Sequence, residues 1–322
     1  TVRTDNRRKT MPVKANIFSS RPYAFLAEKI AAAPSEIDFR LGKIEHTRFP
    51  DGENYYRLLE AREIRNSPAV YVAGTVSDAA VMEMYNICSA LVMEQCSSLH
   101  IVIPYFGYST MERASRRGEV VIAKNIARLL SSLPTSARGN FVYMVDLHSL
   151  GTQYYFEGSI RPIHLTAEPL IRQMIADVGE NPVLATADMG RAKWVQKMSG
   201  RLGLDSAYIM KQRLSGEQTE VVALNANVSG RRVVIYDDMI RSGESVIQAA
   251  RAYDAAGARE IHILATHGVF VDGAVERLKG SGLFKSLCCT NTHVNACRFA
   301  ADDFVKVYDI TPVLAAGLEI SN

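Results

Sequence analysis

The chain has 322 residues, 48% of them hydrophobic and 22% charged, with a formal net charge of +3. That length accommodates two ordinary domains with a core each, the near balance of charge makes no case for a nucleic-acid polymer as partner, and no apolar run reaches the roughly 20 residues of a membrane span. The five cysteines (Cys88, Cys96, Cys288, Cys289 and Cys297) lack paired CxxC spacing, so free thiols in a reducing, cytoplasmic setting are expected rather than disulfides or structural zinc.

Residues 1–14 are polar and basic, without the apolar stretch of a secretory signal, and are expected to form a flexible arm; an organelle-targeting remnant is the weaker reading. A first α/β domain is expected over 15–165. Within it Phe49-Pro50-Asp51-Gly52-Glu53 has turn chemistry. Ala69–Ala73 reads as a buried strand and 81–93 as a helix with Met84, Ile87, Cys88 and Leu91 on one face. Leu99–Ile103 and Phe141–Val145 read as further strands. A boundary is expected near Arg161-Pro162 and Glu168-Pro169, with the second domain over 166–322. There Val183–Ala185, Val233–Ile235, Ile261–Ala265 and Phe304–Val307 read as strands. Residues 246–256 read as a helix stopped by Gly257, and 312–320 as a terminal helix, a candidate to pack on the first domain. The strand–helix–strand lengths at 69–103 and 233–265 nearly match, which points to two related domains with largely parallel sheets.

The stretch 233–270 is the most informative. It runs from a strand through Asp237 and Asp238 to Ser242, Gly243 and Ser245 at a helix start. In open α/β sheets ligands sit at the carboxyl ends of strands, and a helix N-terminus offers N–H groups and a positive dipole end to an anion. Carboxylates beside an anion site suit a ligand that also carries hydroxyls, as a sugar phosphate does. An ordinary strand-to-helix turn with two solvated aspartates is the bland alternative.

Asp237-Asp238-Met239-Ile240-Arg241-Ser242-Gly243-Glu244-Ser245 resembles the signature of proteins that bind 5-phosphoribosyl 1-diphosphate. Four further segments accompany it. They are Phe49-Pro50-Asp51-Gly52-Glu53, Pro104-Tyr105-Phe106-Gly107-Tyr108 leading to Glu112-Arg113, Asp146-Leu147-His148-Ser149, and Thr266-His267-Gly268-Val269-Phe270. Their order and spacing over roughly 15–318 resemble the ribose-phosphate pyrophosphokinases (phosphoribosyl-diphosphate synthetases). The resemblance implies two phosphoribosyltransferase-like α/β domains and transfer of the diphosphoryl group of ATP to the C1 hydroxyl of ribose 5-phosphate. It also implies dependence on Mg2+ and a homo-oligomer, either dimers or a hexamer.

It assigns roles by motif as well. Lys211 and Arg213, in a segment similar to the family's catalytic flexible loop, would stabilise the transition state. His148 would stand beside ATP-bound magnesium, and Asp188 is a looser match to a metal aspartate in the family's Pro-Asp-Ala-Gly-Gly loop, from which Ala187, Met189 and Arg191 depart. Asp237 and Asp238 would accept from the ribose hydroxyls. Arg241, Ser242, Gly243, Glu244 and Ser245 would surround the 5-phosphate, although Glu244 puts a negative charge close to a dianion. Phe49, Asp51 and Glu53 would reach the adenine site of a neighbouring subunit. The donor loop, Thr110, Met111, Glu112 and Arg113, lacks the arginine and glutamine of bacterial and animal members and looks closer to plant-type class II synthetases, with looser donor choice. Two alternatives stay open: a catalytically weak subunit that regulates an active partner, and a phosphoribosyltransferase, which would share the acidic segment but not the other motifs.

Overall fold

The computed structural model describes residues 12–215 and 218–320, with side chains except at 210–224. Residues 1–11 of the basic arm lie outside the described residues. The chain divides into two compact units: one runs up to Leu165 and resumes at Thr311, and the other runs from Thr166 to Ile310.

The first unit contains β1 (Val13–Ser19), α1 (Ala24–Ala32), β2 (Ile37–Leu41), β3 (Ile44–Arg48), β4 (Asn54–Leu58) and α2 (Ala61–Ile64). It continues with β5 (Ala69–Val72), α3 (Asp78–Met93), β6 (Leu99–Ile103), α4 (Ile122–Ser131), β7 (Asn140–Val145) and β8 (Ile160–Leu165). Six strands make a parallel sheet in the order β2-β1-β5-β6-β7-β8, and β3 and β4 form a separate antiparallel hairpin. The central strands β5 and β6 are buried along their whole length, as strands covered on both faces must be, and their apolar runs follow from that. Helix α3 starts at Ser77, whose side chain accepts from the Ala80 N–H, and it buries Val81, Met84, Ile87, Cys88 and Leu91, the face expected from spacing.

The second unit contains α5 (Glu168–Val178), β9 (Val183–Thr186), α6 (Ala192–Leu202), β10 (Ser206–Ser215), β11 (Gln218–Leu224) and β12 (Arg232–Ile240). After these come α7 (Glu244–Ala255), β13 (Glu260–Gly268), α8 (Ala274–Gly280), β14 (Ser286–Thr290) and β15 (Val305–Tyr308). Its sheet order is β11-β10-β9-β12-β13-β14-β15, parallel apart from β11. With β11 and the β3–β4 hairpin set aside, each unit has six strands in the order 2-1-3-4-5-6. The two matching stretches noted in the sequence, β5-α3-β6 and β12-α7-β13, fill corresponding places. Helix α9 (Thr311–Gly317) closes the chain in the first unit, against α1.

Three local expectations are corrected. Val13 and Lys14, expected in the arm, already belong to β1 and pair with β2, whereas the boundary falls between Leu165 and Thr166 as expected, with Arg161-Pro162 in the edge strand β8, where a proline's missing N–H is tolerated. The terminal helix stops at Gly317, not 320. The strand read over Val233–Ile235 is longer: β12 continues to Ile240 and pairs with β13 as far as Gly268, so the acidic pair lies within it. All five cysteines are free, and among the described residues no helix is long and apolar enough to cross a membrane.

Candidate active site

In the second unit the carboxyl ends of the neighbouring strands β9 and β12 bear Asp188 and the acidic pair. Val233–Tyr236 are buried between β9 and β13, which carries the chain outward until Asp237 is partly exposed. Asp238, the next residue, is 2% exposed. Its carboxylate meets the Arg191 guanidinium side-on, with Nη2–Oδ2 at 2.5 Å and Nε–Oδ1 at 3.2 Å. Burial pushes the Asp237 carboxyl well above the usual carboxylate range, and the charges of Asp238 and Asp188 push it further, against a smaller opposing effect of Arg191. Oδ1 of Asp237 also accepts from the Asp238 N–H at 2.9 Å.

The turn after β12 is held from behind. Ile240 and Arg241 carbonyls accept from Phe270 and Val271 N–H groups at 2.9 and 3.1 Å. The Ser242 carbonyl accepts from Arg277 Nη2 at 3.3 Å and Nε at 3.4 Å. Gly243 then takes φ +81 as the N-cap of α7, a backbone conformation suited to glycine. A Cβ there would lie 2.9 Å from Leu278 Cδ2. The first-turn N–H groups of α7 have no intrahelical acceptors. Arg241, Glu244 and Ser245 are exposed, and Ser242 is half-buried.

Asp188 follows β9 and is exposed. One of its carboxylate oxygens accepts from the Arg191 N–H at 3.3 Å. Trp194, the single tryptophan of the chain, stacks on Tyr236 with ring centroids 3.9 Å apart. Lys211 and Arg213 belong to β10, whose backbone pairs them with Val221 and Thr219 of β11. The segment is therefore a β-hairpin arm where a loop was expected, and the side chains of both cations lie outside the described residues.

In the first unit the donor-segment residues follow β6. Gly107 packs so closely that a Cβ would meet the Thr75 carbonyl oxygen at 2.0 Å, and its N–H donates to Thr75 Oγ1 at 2.7 Å. Tyr108, at φ +61, donates from its hydroxyl to Asp78 at 2.5 Å. Thr110 and Met111 come next, both exposed. The Glu112 carbonyl accepts from the Tyr155 hydroxyl at 2.6 Å, and Arg113 is exposed with Nε 3.5 Å from Glu112. His148 follows the adjacent strand β7, half-buried, two residues after Asp146 at φ +36. Phe49, Asp51 and Glu53 cap the β3–β4 hairpin, all exposed. The turn is set by Asp51 Oδ1 accepting from the Glu53 N–H at 3.0 Å, and the Phe49 ring lies 5.9 Å from Tyr55.

The structure thus brings together Asp188, Asp237, Asp238 and the residues from Arg241 to Ser245 in one unit. In the other it places Thr110–Arg113 and His148 after adjacent strands, with the Phe49–Glu53 turn on its own hairpin. Two arginines that hold the acidic pair and the turn after it had no functional reading in the sequence. Arg191 stood out only as a departure from the family's loop, and Arg277 gave no signal at all, because each earns its place through a partner distant in the chain.

A family model described as the N-terminal domain of ribose phosphate pyrophosphokinase matches residues 15–133, and one described as a phosphoribosyl synthetase-associated domain matches 185–320. A ribose-phosphate pyrophosphokinase of Fusobacterium nucleatum is 31% identical over 306 residues, 94% of this chain and 93% of its own. The chain belongs to the ribose-phosphate pyrophosphokinase family. A pyrophosphokinase of Pyrococcus abyssi is 32% identical over 251 residues, 77% of this chain and 84% of its own. The fold is shared with phosphoribosylpyrophosphate synthetase from Mycobacterium smegmatis at a TM-score of 0.79 and 24% identity, covering 94% of this chain and 97% of that one. Within this pyrophosphokinase, the matched stretches include the hairpin turn, the donor segment, Asp188, the Lys211–Arg213 arm and the acidic strand; His148 lies between them.

Proposed function

We propose that this chain is a ribose-phosphate diphosphokinase, with ATP as diphosphoryl donor and ribose 5-phosphate as acceptor. The observation that carries the reading is the β12–α7 junction: an acidic pair at the end of a central strand, then a glycine-capped helix start with exposed serine and backbone donors. The C1 hydroxyl oxygen of the sugar forms a bond to the β-phosphorus of ATP. The bond from that phosphorus to the oxygen bridging the α-phosphorus breaks, AMP leaves, and the hydroxyl proton is released. Such transfers depend on positioning and on cations that meet the developing charge.

Of the acidic pair, the partly exposed Asp237 serves the ribose hydroxyls, while Ser242, Gly243 and Ser245 receive the 5-phosphate at the α7 N-terminus. Arg241 and Glu244 flank that anion site. Lys211 and Arg213, on the β10–β11 arm, supply positive charge to the transferred group. In the first unit Thr110, Met111, Glu112 and Arg113 contact the donor nucleotide; with no arginine at 110, donor choice is loosened. Phe49, Asp51 and Glu53, on an exposed turn, serve the base of a nucleotide bound by a second copy in a homo-oligomer.

The acceptor region suits Mg2+, a hard ion that takes one or two carboxylates and leaves its other positions to water and phosphate oxygens. Burial first, then the charge of Asp238 and to a lesser degree that of Asp188, hold back ionisation of Asp237, and a divalent cation would offset this concentration of carboxylates. Asp188 would hold such an ion in the second unit and His148 would stand beside one in the first. When bound, magnesium neutralises phosphate charge.

The test is an assay with ribose 5-phosphate, Mg2+ and ATP, following AMP and 5-phosphoribosyl 1-diphosphate together. Equimolar products are expected, and other nucleoside triphosphates should also serve as donors. Lys211→Ala should lower kcat by about a hundredfold or more, as loss of a transition-state cation does, with little change in the KM for ribose 5-phosphate. Absence of product with every donor would favour the regulatory-subunit reading.

A further inference from the structure

The two consecutive aspartates of β12 are chemically identical and structurally unlike. Asp237 is partly exposed, whereas the Asp238 side chain is 3% exposed and both its oxygens lie on the Arg191 fork. Consecutive residues of a strand point to opposite faces, so one carboxylate of the pair can meet a ligand at the sheet edge while the other faces protein. An ionised carboxylate as buried as Asp238 is costly unless paired and hydrogen-bonded, and a side-on guanidinium supplies both charge and geometry.

Arg191 does more than neutralise. It is the N-cap residue of α6, 47 positions before its partner. Its backbone N–H donates to Asp188 at 3.3 Å, while the Asp238 N–H donates to Asp237 at 2.9 Å. The ion pair therefore fastens the loop carrying one exposed carboxylate to the strand carrying another. A glycine at 191, the residue of the family's loop at that place, could make no such link.

We propose that Arg191 and Asp238 form a clamp that positions Asp188 and Asp237, and that Asp237 alone of the acidic pair contacts the ribose hydroxyls. Arg191 is thus a positioning residue and Asp238 its anchor. This rests on the reading of the acceptor as ribose 5-phosphate and divides the labour within that site.

The experiment compares ribose 5-phosphate with 2-deoxyribose 5-phosphate as acceptors for the wild type, Asp237→Asn, Arg191→Met and the double variant Arg191→Met/Asp238→Leu. Buried ion pairs replaced by apolar residues of similar size often leave stability unchanged or raised. The double variant leaves no charge buried but loses the clamp, so its KM for ribose 5-phosphate should rise severalfold, less than in Arg191→Met, while its discrimination against the deoxy sugar is kept because Asp237 remains; an unchanged KM would remove the clamp from the positioning of Asp188 and Asp237. Arg191→Met alone, which leaves a buried carboxylate unpaired, should raise KM by about tenfold or more, as loss of a charge-assisted hydrogen bond does. Asp237→Asn should raise KM similarly and shrink the discrimination, because a site built to bind a hydroxyl rejects the analogue lacking it.

Loss of discrimination in the double variant equal to that in Asp237→Asn would overturn the proposal, since Asp238 would then touch the sugar. If the double variant does not fold, Arg191→Lys decides: it keeps a cation, so a modest rise in KM with unchanged discrimination is expected, and a collapse of discrimination would put Arg191 on the substrate. Wild-type turnover is measured first. If the wild type yields no product, the functional reading fails by itself, and the same variants are compared by ribose 5-phosphate titration of Trp194 fluorescence, that ring being stacked on the neighbour of Asp237.

Discussion

Gly243 shows how much of this site depends on one missing carbon. It holds φ +81 where β12 gives way to α7, and a Cβ would stand 2.9 Å from two atoms of the fully buried Leu278. Gly243→Ala must therefore strain the backbone, at about 1–3 kcal/mol for a left-handed non-glycine residue, and displace part of the core of α8. The expected result is a melting temperature lower by several degrees and a raised KM for ribose 5-phosphate, read by calorimetry and steady-state kinetics. An unchanged KM would mean that the turn is not part of the phosphate site. Gly243 was legible in the sequence because its role is local, set by the residues on either side. Arg191 was not, because nothing near it in the chain is its counter-ion. The same contrast separates the serines of the turn, readable from spacing, from Arg277, which fixes the Ser242 carbonyl from 35 residues away.

At the scale of elements, most strands with a long apolar run were readable and several of mixed polarity were not. β5, β6 and β12 lie between other strands under helices, so they hold apolar runs, broken in β6 by His100 and ended in β12 by Asp237. β1 and β2, the β3–β4 hairpin and β8 mix polar and apolar residues, and β8 even contains Pro162. Acid stability is also set within elements. His100 on β6 is buried; its Nε2 is 2.9 Å from Ser98 Oγ and its Nδ1 3.0 Å from the Tyr143 hydroxyl. Burial pushes it down to about 4, against about 6.5 in an unfolded chain. Above pH 6.5 the imidazole is neutral in both states, so its contribution is intact. As pH falls from 6.5 towards 4 the unfolded chain takes up the proton and the folded one does not, and stability drops by up to roughly 3 kcal/mol. His293 in the second unit is also pushed down to about 4, by burial first. Denaturant melts at pH 7 and pH 4.5 should show this loss, and His100→Gln should remove its share of it. An equal loss in that variant would place the acid sensitivity elsewhere.

At the scale of the molecule, the chain builds the same six-strand parallel order twice, with different residues at corresponding places. The acidic pair and glycine-capped helix start belong only to the second; the corresponding place in the first has Thr75 to Asp78 and the N-cap Ser77. The first unit is discontinuous, since α9 returns to it from the far end of the sequence. In α9 Leu314 is fully buried, Leu318 just beyond it is 7% exposed, and a Cβ on Gly317 would lie 2.5 Å from Leu165. Ending the chain at Ile310 should therefore destabilise the first unit by roughly 3 kcal/mol or more, from the apolar side chains uncovered. Hydrogen exchange should show β1 and β5 losing protection while β12 and β13 keep theirs; equal loss in both units would contradict this assignment.

The amino-acid sequence by itself determined the α/β class, the duplication and the family, and it supplied the candidate residues at both places, because these are written in local periodicity, helix caps and short motifs. It also offered the last helix as a candidate to pack on the first unit, and the helix lies there. Only the tertiary structure decided that the acidic pair sits within a strand, that its two carboxylates face different surroundings, and that Arg191 is the cation which makes the buried one tolerable. Each of these depends on which distant residues meet once a core is packed, and pairing across 35 to 50 positions leaves no periodic trace in the chain.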